Sequence, residues 1–99
     1  MNAMNKDDIL VYLKKFKERN SHKYHIVKLG LFGSFSRGDG NEKSDIDIAV
    51  VLEKPKMFDL VGIKQDIEEA LSCYVDIVRV RDNMNKLLKK RIEKEVIFV

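Results

Sequence analysis

The chain reads as an α/β (α+β) domain, a small mixed sheet packed against helices, and three observations lead there. Apolar residues recur at helical spacing in three separate stretches. Between them lie three short runs rich in β-branched residues. The resulting order, helix, strand, loop, strand, helix, strand, helix, supplies amphipathic helices to cover a sheet that could not bury its own faces. Residues 1–99 are expected to form one domain, because 99 residues with 44% apolar content can build one core and hardly two. No internal repeat, low-complexity tract or linker interrupts them.

The first helix is predicted over Asp7 to Asn20, where Ile9, Leu10, Leu13 and Phe16 share a face and lysines and Glu18 fill the remainder; Asp7 or Asn5 can cap its start. Tyr24 to Phe32 is the first strand, ending at Gly33. Gly33 to Lys43 is a glycine-rich polar loop in which a turn of helix can open at Ser34. Asp45 to Leu52 is a second strand. Strand side chains alternate, so Ile46, Ile48, Val50 and Leu52 face one way and Asp45, Asp47, Ala49 and Val51 the other.

Pro55 breaks the chain, after which Leu60, Ile63, Ile67, Ala70 and Leu71 mark a second helix. Tyr74 to Val80 is the third strand, and Met84, Leu87, Leu88, Arg91 and Ile92 mark a third helix, densely basic on its outer side. The apolar end Val96 to Val99 suits either a closing strand or core plug, or a docking surface.

Composition narrows the class. A net charge of +3 and a charged fraction of 35% give a mildly basic surface that could favour polyanions such as triphosphates. No apolar run approaches the roughly 18 residues of a membrane span, and MNAMNKDDIL lacks the apolar centre of a signal peptide, so a cytoplasmic protein without membrane association is expected. Cys73 is the only cysteine, which removes a disulfide framework, and with His22 and His25 it makes no zinc-ligand spacing; it reads as a buried structural thiol. Asp59, Asp66, Glu68 and Glu69 read as solvated charge on a helix surface.

Chemistry concentrates between Gly33 and Asp76. Glycine at Gly33 lets backbone amides approach a ligand, and the Ser34 hydroxyl and the planar fork of Arg37 can grip a phosphate beside it. Alone, a Gly-Ser turn is ordinary. Asp45 and Asp47 change the weighting, because two aspartates at alternate positions of a short apolar strand repel one another and need compensation. Mg²⁺ favours such hard oxygen ligands together with substrate phosphates. Asp76 interrupts the next apolar run; it is either an edge-strand aspartate facing water or, if the strands are neighbours, the third member of a carboxylate set. Three carboxylates can hold two metal ions about 3.5 to 4 Å apart, as phosphoryl transfer uses them.

The segment Leu31 to Val50, LFGSFSRGDGNEKSDIDIAV, resembles the signature of the DNA polymerase β-like nucleotidyltransferase superfamily: Gly33 and Ser34, ten residues, then Asp45, Ile46 and Asp47. VDIVRV around Asp76 is similar to the family's third carboxylate strand, and the resemblance spans roughly Ile26 to Val80. Within that superfamily the short chain resembles the minimal nucleotidyltransferases, commonly the antitoxin partners of HEPN-domain ribonuclease toxins. The resemblance implies the polymerase β-like fold, two Mg²⁺ ions as cofactors, ATP as the NTP substrate, and transfer of AMP to a tyrosine of the HEPN partner. It also implies that Gly33, Ser34 and Arg37 bind the nucleotide phosphates. Asp45 and Asp47 would bridge both metals, and Asp76 would bind the metal nearest the acceptor and help deprotonate it.

Two other readings stand beside this one. The chain could be a non-catalytic interaction module that binds and neutralises a HEPN-type partner through its tail and basic helix, or it could transfer to RNA or a small molecule. The absence of an RNA-binding motif with interleaved aromatics argues against nucleic acid without closing that route.

Overall fold

The computed structural model describes residues 5–41, 43–54 and 56–99. The expected break at Pro55 lies outside them. Helix α1 spans Lys6–Tyr24; Asn5 caps it, its side chain accepting the Asp8 amide at 2.8 Å, and Asp7 and Asp8 complement the dipole of the first turn. The helix runs beyond the predicted end at Asn20. That asparagine turns its side-chain amide back to the Phe16 carbonyl, 3.1 Å away, instead of stopping the helix. The added turn brings Tyr24 onto Phe16, ring centroids 6.2 Å apart, and its hydroxyl onto Asp66. His25 then ends the helix in a left-handed conformation, φ 59°.

Strand β1 covers Ile26–Phe32, the single turn α2 Ser34–Arg37, and β2 Ile46–Leu52. Helix α3 covers Met57–Leu71, β3 Val75–Arg79, α4 Lys86–Glu95 and β4 Ile97–Phe98. The sheet order is β3-β2-β1-β4. β1 pairs antiparallel with β2 and with β4, while β2 and β3 run parallel, joined by the α3 crossover that a parallel pair requires. The predicted mixed sheet under helices is therefore present.

Alternation along β2 sets the layers. Ile46, Ile48, Val50 and Leu52 face α1 and α3 and join Ile9, Leu13, Leu29, Leu31, Ile63, Ile67 and Val75 in the larger core. Burying Ile63 and Ile67 completely contributes about 1.5–3 kcal/mol each before entropy is counted. Ala49 faces the opposite way, onto Phe32 and Ile92, with Val78, Val80, Met84, Leu88 and Val96 closing a smaller cluster under α4. Leu87, counted in the apolar stripe of that helix, is instead exposed, because Leu88 and Ile92 alone meet the narrow strip of sheet α4 covers.

The C-terminal tail is a closing strand. Gly30 makes this close: a Cβ there would meet Val96 and Phe98 side chains at 2.7 and 2.8 Å. Val99 N–H donates to the Leu29 carbonyl, and the Lys17 ammonium donates to the Val99 carbonyl, both at 2.9 Å. Three of the four acidic residues read as solvated are also engaged. Asp59 meets His25 Nδ1 at 2.9 Å, Asp66 accepts from Tyr24, and Glu68 accepts the Val75 amide at 2.9 Å, covering an edge-strand donor; Glu69 remains on the surface. Cys73 is only half-buried at the margin of the larger core, and burial, then Glu68 and Asp45, push its thiol up. Among the described residues no helix is long and apolar enough to cross a membrane.

Candidate active site

Strand directions gather three segments at one end of the sheet. Phe32, the last residue of β1, pairs with Asp47, and Asp47 pairs with Asp76. Neighbouring strands lie about 4.8 Å apart, so the two aspartates stand side by side and lean to the same face. Two positions farther along, Ala49 and Val78 pack beneath α4, which places both carboxylates on the α4 side. Asp45 is exposed in the coil just before β2, two residues from Asp47. It therefore lies outside the strand that was expected to include it.

The Gly-Ser turn is locked to this row. Gly33 has φ 77° and ψ −152°, a conformation essentially reserved for glycine. A Cβ on it would overlap a carboxylate oxygen of Asp47 and reach its carboxyl carbon at 2.9 Å, so the Asp47 side chain lies over the bare Cα of Gly33. The expected helical turn does open at Ser34. Arg37 N–H and Ser36 Oγ both donate to the Gly33 carbonyl, at 3.2 and 2.9 Å, and Gly38 closes the turn at φ 85°. Ser36, buried, was not anticipated; its part is to hold that carbonyl.

Electrostatics tie the pieces together. Burial pushes the Asp47 carboxyl up from its ordinary range, Asp76 pushes it further, Arg91 offsets part of this, and Asp45 and Glu95 add to the rise. The Arg37 guanidinium donates through Nε to Asp39 at 3.2 Å and through Nη1 to Glu95 Oε1 at 2.9 Å. That same Glu95 oxygen accepts the Gly33 amide at 3.2 Å and lies 3.5 Å from Arg91 Nε. Glu95 and Arg91, both from α4, are site neighbours that the sequence reading missed. Arg91 left a trace, since it falls within the apolar stripe of its helix; Glu95, in the last turn, left none.

The arrangement suits phosphate and divalent metal chemistry. A half-buried carboxylate crowded by three others is held at a cost that a hard cation would relieve, and the donors are all carboxylate oxygens. As the side chains stand, no three Asp, Glu, His or Cys among the described residues converge on one ion position.

Comparison with known proteins follows the same line. The family model described as a nucleotidyltransferase domain matches residues 13–99. A Methanocaldococcus jannaschii protein named as a predicted protein adenylyltransferase is 33% identical over 95 residues, covering 93% of this chain and 95% of its own. The Thermococcus cleftensis protein adenylyltransferase MntA is 28% identical over 94 residues, covering 94% of each. A solved minimal nucleotidyltransferase superposes with a TM-score of 0.79 at 25% identity, covering 95% of both chains. A crystal structure of a toxin-antitoxin with AMP-PNP superposes with a TM-score of 0.73 at 26% identity, over 96% of this chain and 72% of that one. The row of aspartates beside the Gly33 turn is thus carried on the scaffold of these proteins, and the chain belongs to the nucleotidyltransferase domain family.

Proposed function

We propose that this nucleotidyltransferase moves AMP from ATP onto a tyrosine hydroxyl of a HEPN-type toxin partner in the cytoplasm, with Mg²⁺, and so acts as an antitoxin. The observation that carries the reading is the pairing of Asp47 with Asp76 beside the Gly33 turn, with Asp45 two residues away. The likeness to a toxin-antitoxin structure with AMP-PNP supports a toxin partner and an adenine nucleotide; the HEPN class of that partner rests on the family resemblance.

In this reading the Gly33 amide, the Ser34 hydroxyl and the Arg37 guanidinium orient the triphosphate, and Asp45, Asp47 and Asp76 would hold two Mg²⁺ ions. The ions, when bound, neutralise the triphosphate and make the acceptor hydroxyl more acidic. Asp76, the exposed outer member of the row, faces the acceptor and draws its proton as the oxygen attacks the α-phosphorus in line. The new P–O bond forms as the bond to the β-phosphate oxygen breaks, and pyrophosphate leaves toward Gly33 and Arg37. Positioning and charge neutralisation supply the rate, with no covalent enzyme intermediate.

In the interaction-module reading the docking surfaces are the basic helix and the edge strand β4, which pairs with β1 on one side and leaves Phe98 exposed. Incubation with α-labelled ATP, Mg²⁺ and a co-encoded HEPN partner separates the two. Label on the partner supports transfer; a stable complex without label supports the module.

A further inference from the structure

Glu95 makes contacts that a phosphate oxygen would be expected to make. Its Oε1 alone faces the Gly33 amide at 3.2 Å, Arg37 Nη1 at 2.9 Å and Arg91 Nε at 3.5 Å. The Glu95 side chain is 14% exposed, whereas those of Arg37 and Arg91 are 42% and 51% exposed. An anion is therefore held inside while its cations stay open to solvent. Glu95 also adds to the charge crowding Asp47, whereas Arg91 relieves it. A carboxylate oxygen with two hydrogen-bond donors and a third cation on it, close to the charge of Asp47, is a ligand that a more highly charged anion can replace.

We propose that Glu95 is an internal surrogate for a triphosphate oxygen, and that Arg91, paired to it, is a nucleotide-binding residue acting alongside Arg37. This rests on the nucleotide-binding reading above and extends it to a helix that carries none of the motif. On nucleotide binding, Glu95 gives up the Gly33 amide and both guanidiniums. Arg37, from the turn, and Arg91, from α4, then both grip the triphosphate. With the substrate absent, the same contacts keep α4 and the turn in register, so the phosphate donors stay aimed.

The inference is tested by binding, apart from turnover. Kd is measured by calorimetry for MgATP, magnesium triphosphate and adenosine, on the wild-type chain, Glu95→Gln, Arg91→Ala and Arg91→Lys. Glu95→Gln is expected to tighten both triphosphate ligands by roughly three- to tenfold, and Arg91→Ala to weaken them by about tenfold, with partial recovery in Arg91→Lys. Adenosine binding should not respond to any of them. Should Glu95→Gln fail to fold, Arg91→Ala and Arg91→Lys carry the test, and ¹⁵N-glycine labelling of the wild type adds a readout of the Gly33 amide from only five glycines. The Gly33 resonance must then move with inorganic triphosphate and stay still with adenosine.

Unchanged or weaker ATP binding by folded Glu95→Gln, or undiminished binding by Arg91→Ala, overturns the inference while leaving the transfer reading in place; a Gly33 resonance indifferent to triphosphate overturns the inference and also removes Gly33 from the nucleotide-binding set. A wild-type chain that binds no MgATP overturns both.

Discussion

Replacing Gly33 by alanine tests the coupling between the turn and the aspartate row, because its two costs can be separated. The backbone cost comes from φ 77°, ψ −152°, a region where a residue with a Cβ is strained by roughly 1–3 kcal/mol. The second cost is the overlap with the Asp47 carboxylate, which must swing away from its place opposite Asp76. Gly38→Ala is the control, since its φ is 85° but a Cβ there meets nothing within 4 Å. It should bear only the left-handed penalty of about 1–2 kcal/mol. For a domain of this size each kcal/mol lowers Tm by roughly 4–8 °C, so Gly38→Ala should melt below the wild type and Gly33→Ala, which adds the carboxylate overlap, lower still. Their activities should diverge. A displacement of about 1 Å at a reacting group can cost about a hundredfold in rate, so Gly33→Ala should fall at least that far below Gly38→Ala in transfer of α-labelled AMP. Thermal melts of both variants, followed by single-turnover transfer at a temperature where both are folded, give the comparison. Equal activities within a factor of three would refute the claim that Asp47 works from its position over Gly33.

Further outcomes follow from the same geometry. Asp76→Ala should abolish transfer while retaining part of the nucleotide binding, measured by equilibrium binding of a fluorescent ATP analogue; normal transfer to a verified acceptor would remove Asp76 from the mechanism. Asp47→Asn should melt higher than the wild type at neutral pH without metal. The folded-state pKa of Asp47 is raised, so its ionisation reduces stability as pH rises above the unfolded value, and the gain should vanish as pH falls below that value. A wild type that melts higher than Asp47→Asn at pH 7 would contradict this. The Tyr24 phenol is pushed up to about 12, chiefly by burial and then by its hydrogen bond to Asp66. Because the neutral form is the one favoured in the fold, stability should fall as pH rises from about 10 toward 12, and Tyr24→Phe should flatten that slope at a cost of about 1–2 kcal/mol at neutral pH by urea denaturation. An unchanged slope would count against it.

What could be read in advance depended on how far each feature violated the pattern around it. Asp45, Asp47 and Asp76 stood out because aspartate is a poor guest in short β-branched strands, and the mixed sheet followed from three such runs between amphipathic helices. The end of α1 was misplaced because Asn20 reads as a stop, whereas its side chain bonds back into the helix and Tyr24 finds a tertiary partner in Asp66. Strand β4 is two residues long and owes its place to the bare Cα of Gly30, so no periodicity could announce it. Asp59 and Glu68 looked like surface charge because their partners, His25 and the Val75 amide, lie far off in sequence or on the backbone. Glu95 was invisible for a similar reason. A glutamate in the last turn of a helix is ordinary until the turn it reaches is known.

The central claim is that the aspartate row catalyses transfer at the α-phosphorus, and parallel incubations of the HEPN partner with α- and γ-labelled ATP address it most directly. The wild-type chain should place α-label and no γ-label on a partner tyrosine, with Asp47→Asn and Asp76→Asn placing neither. Label arriving from the γ-position, or undiminished α-label from either variant, would contradict it.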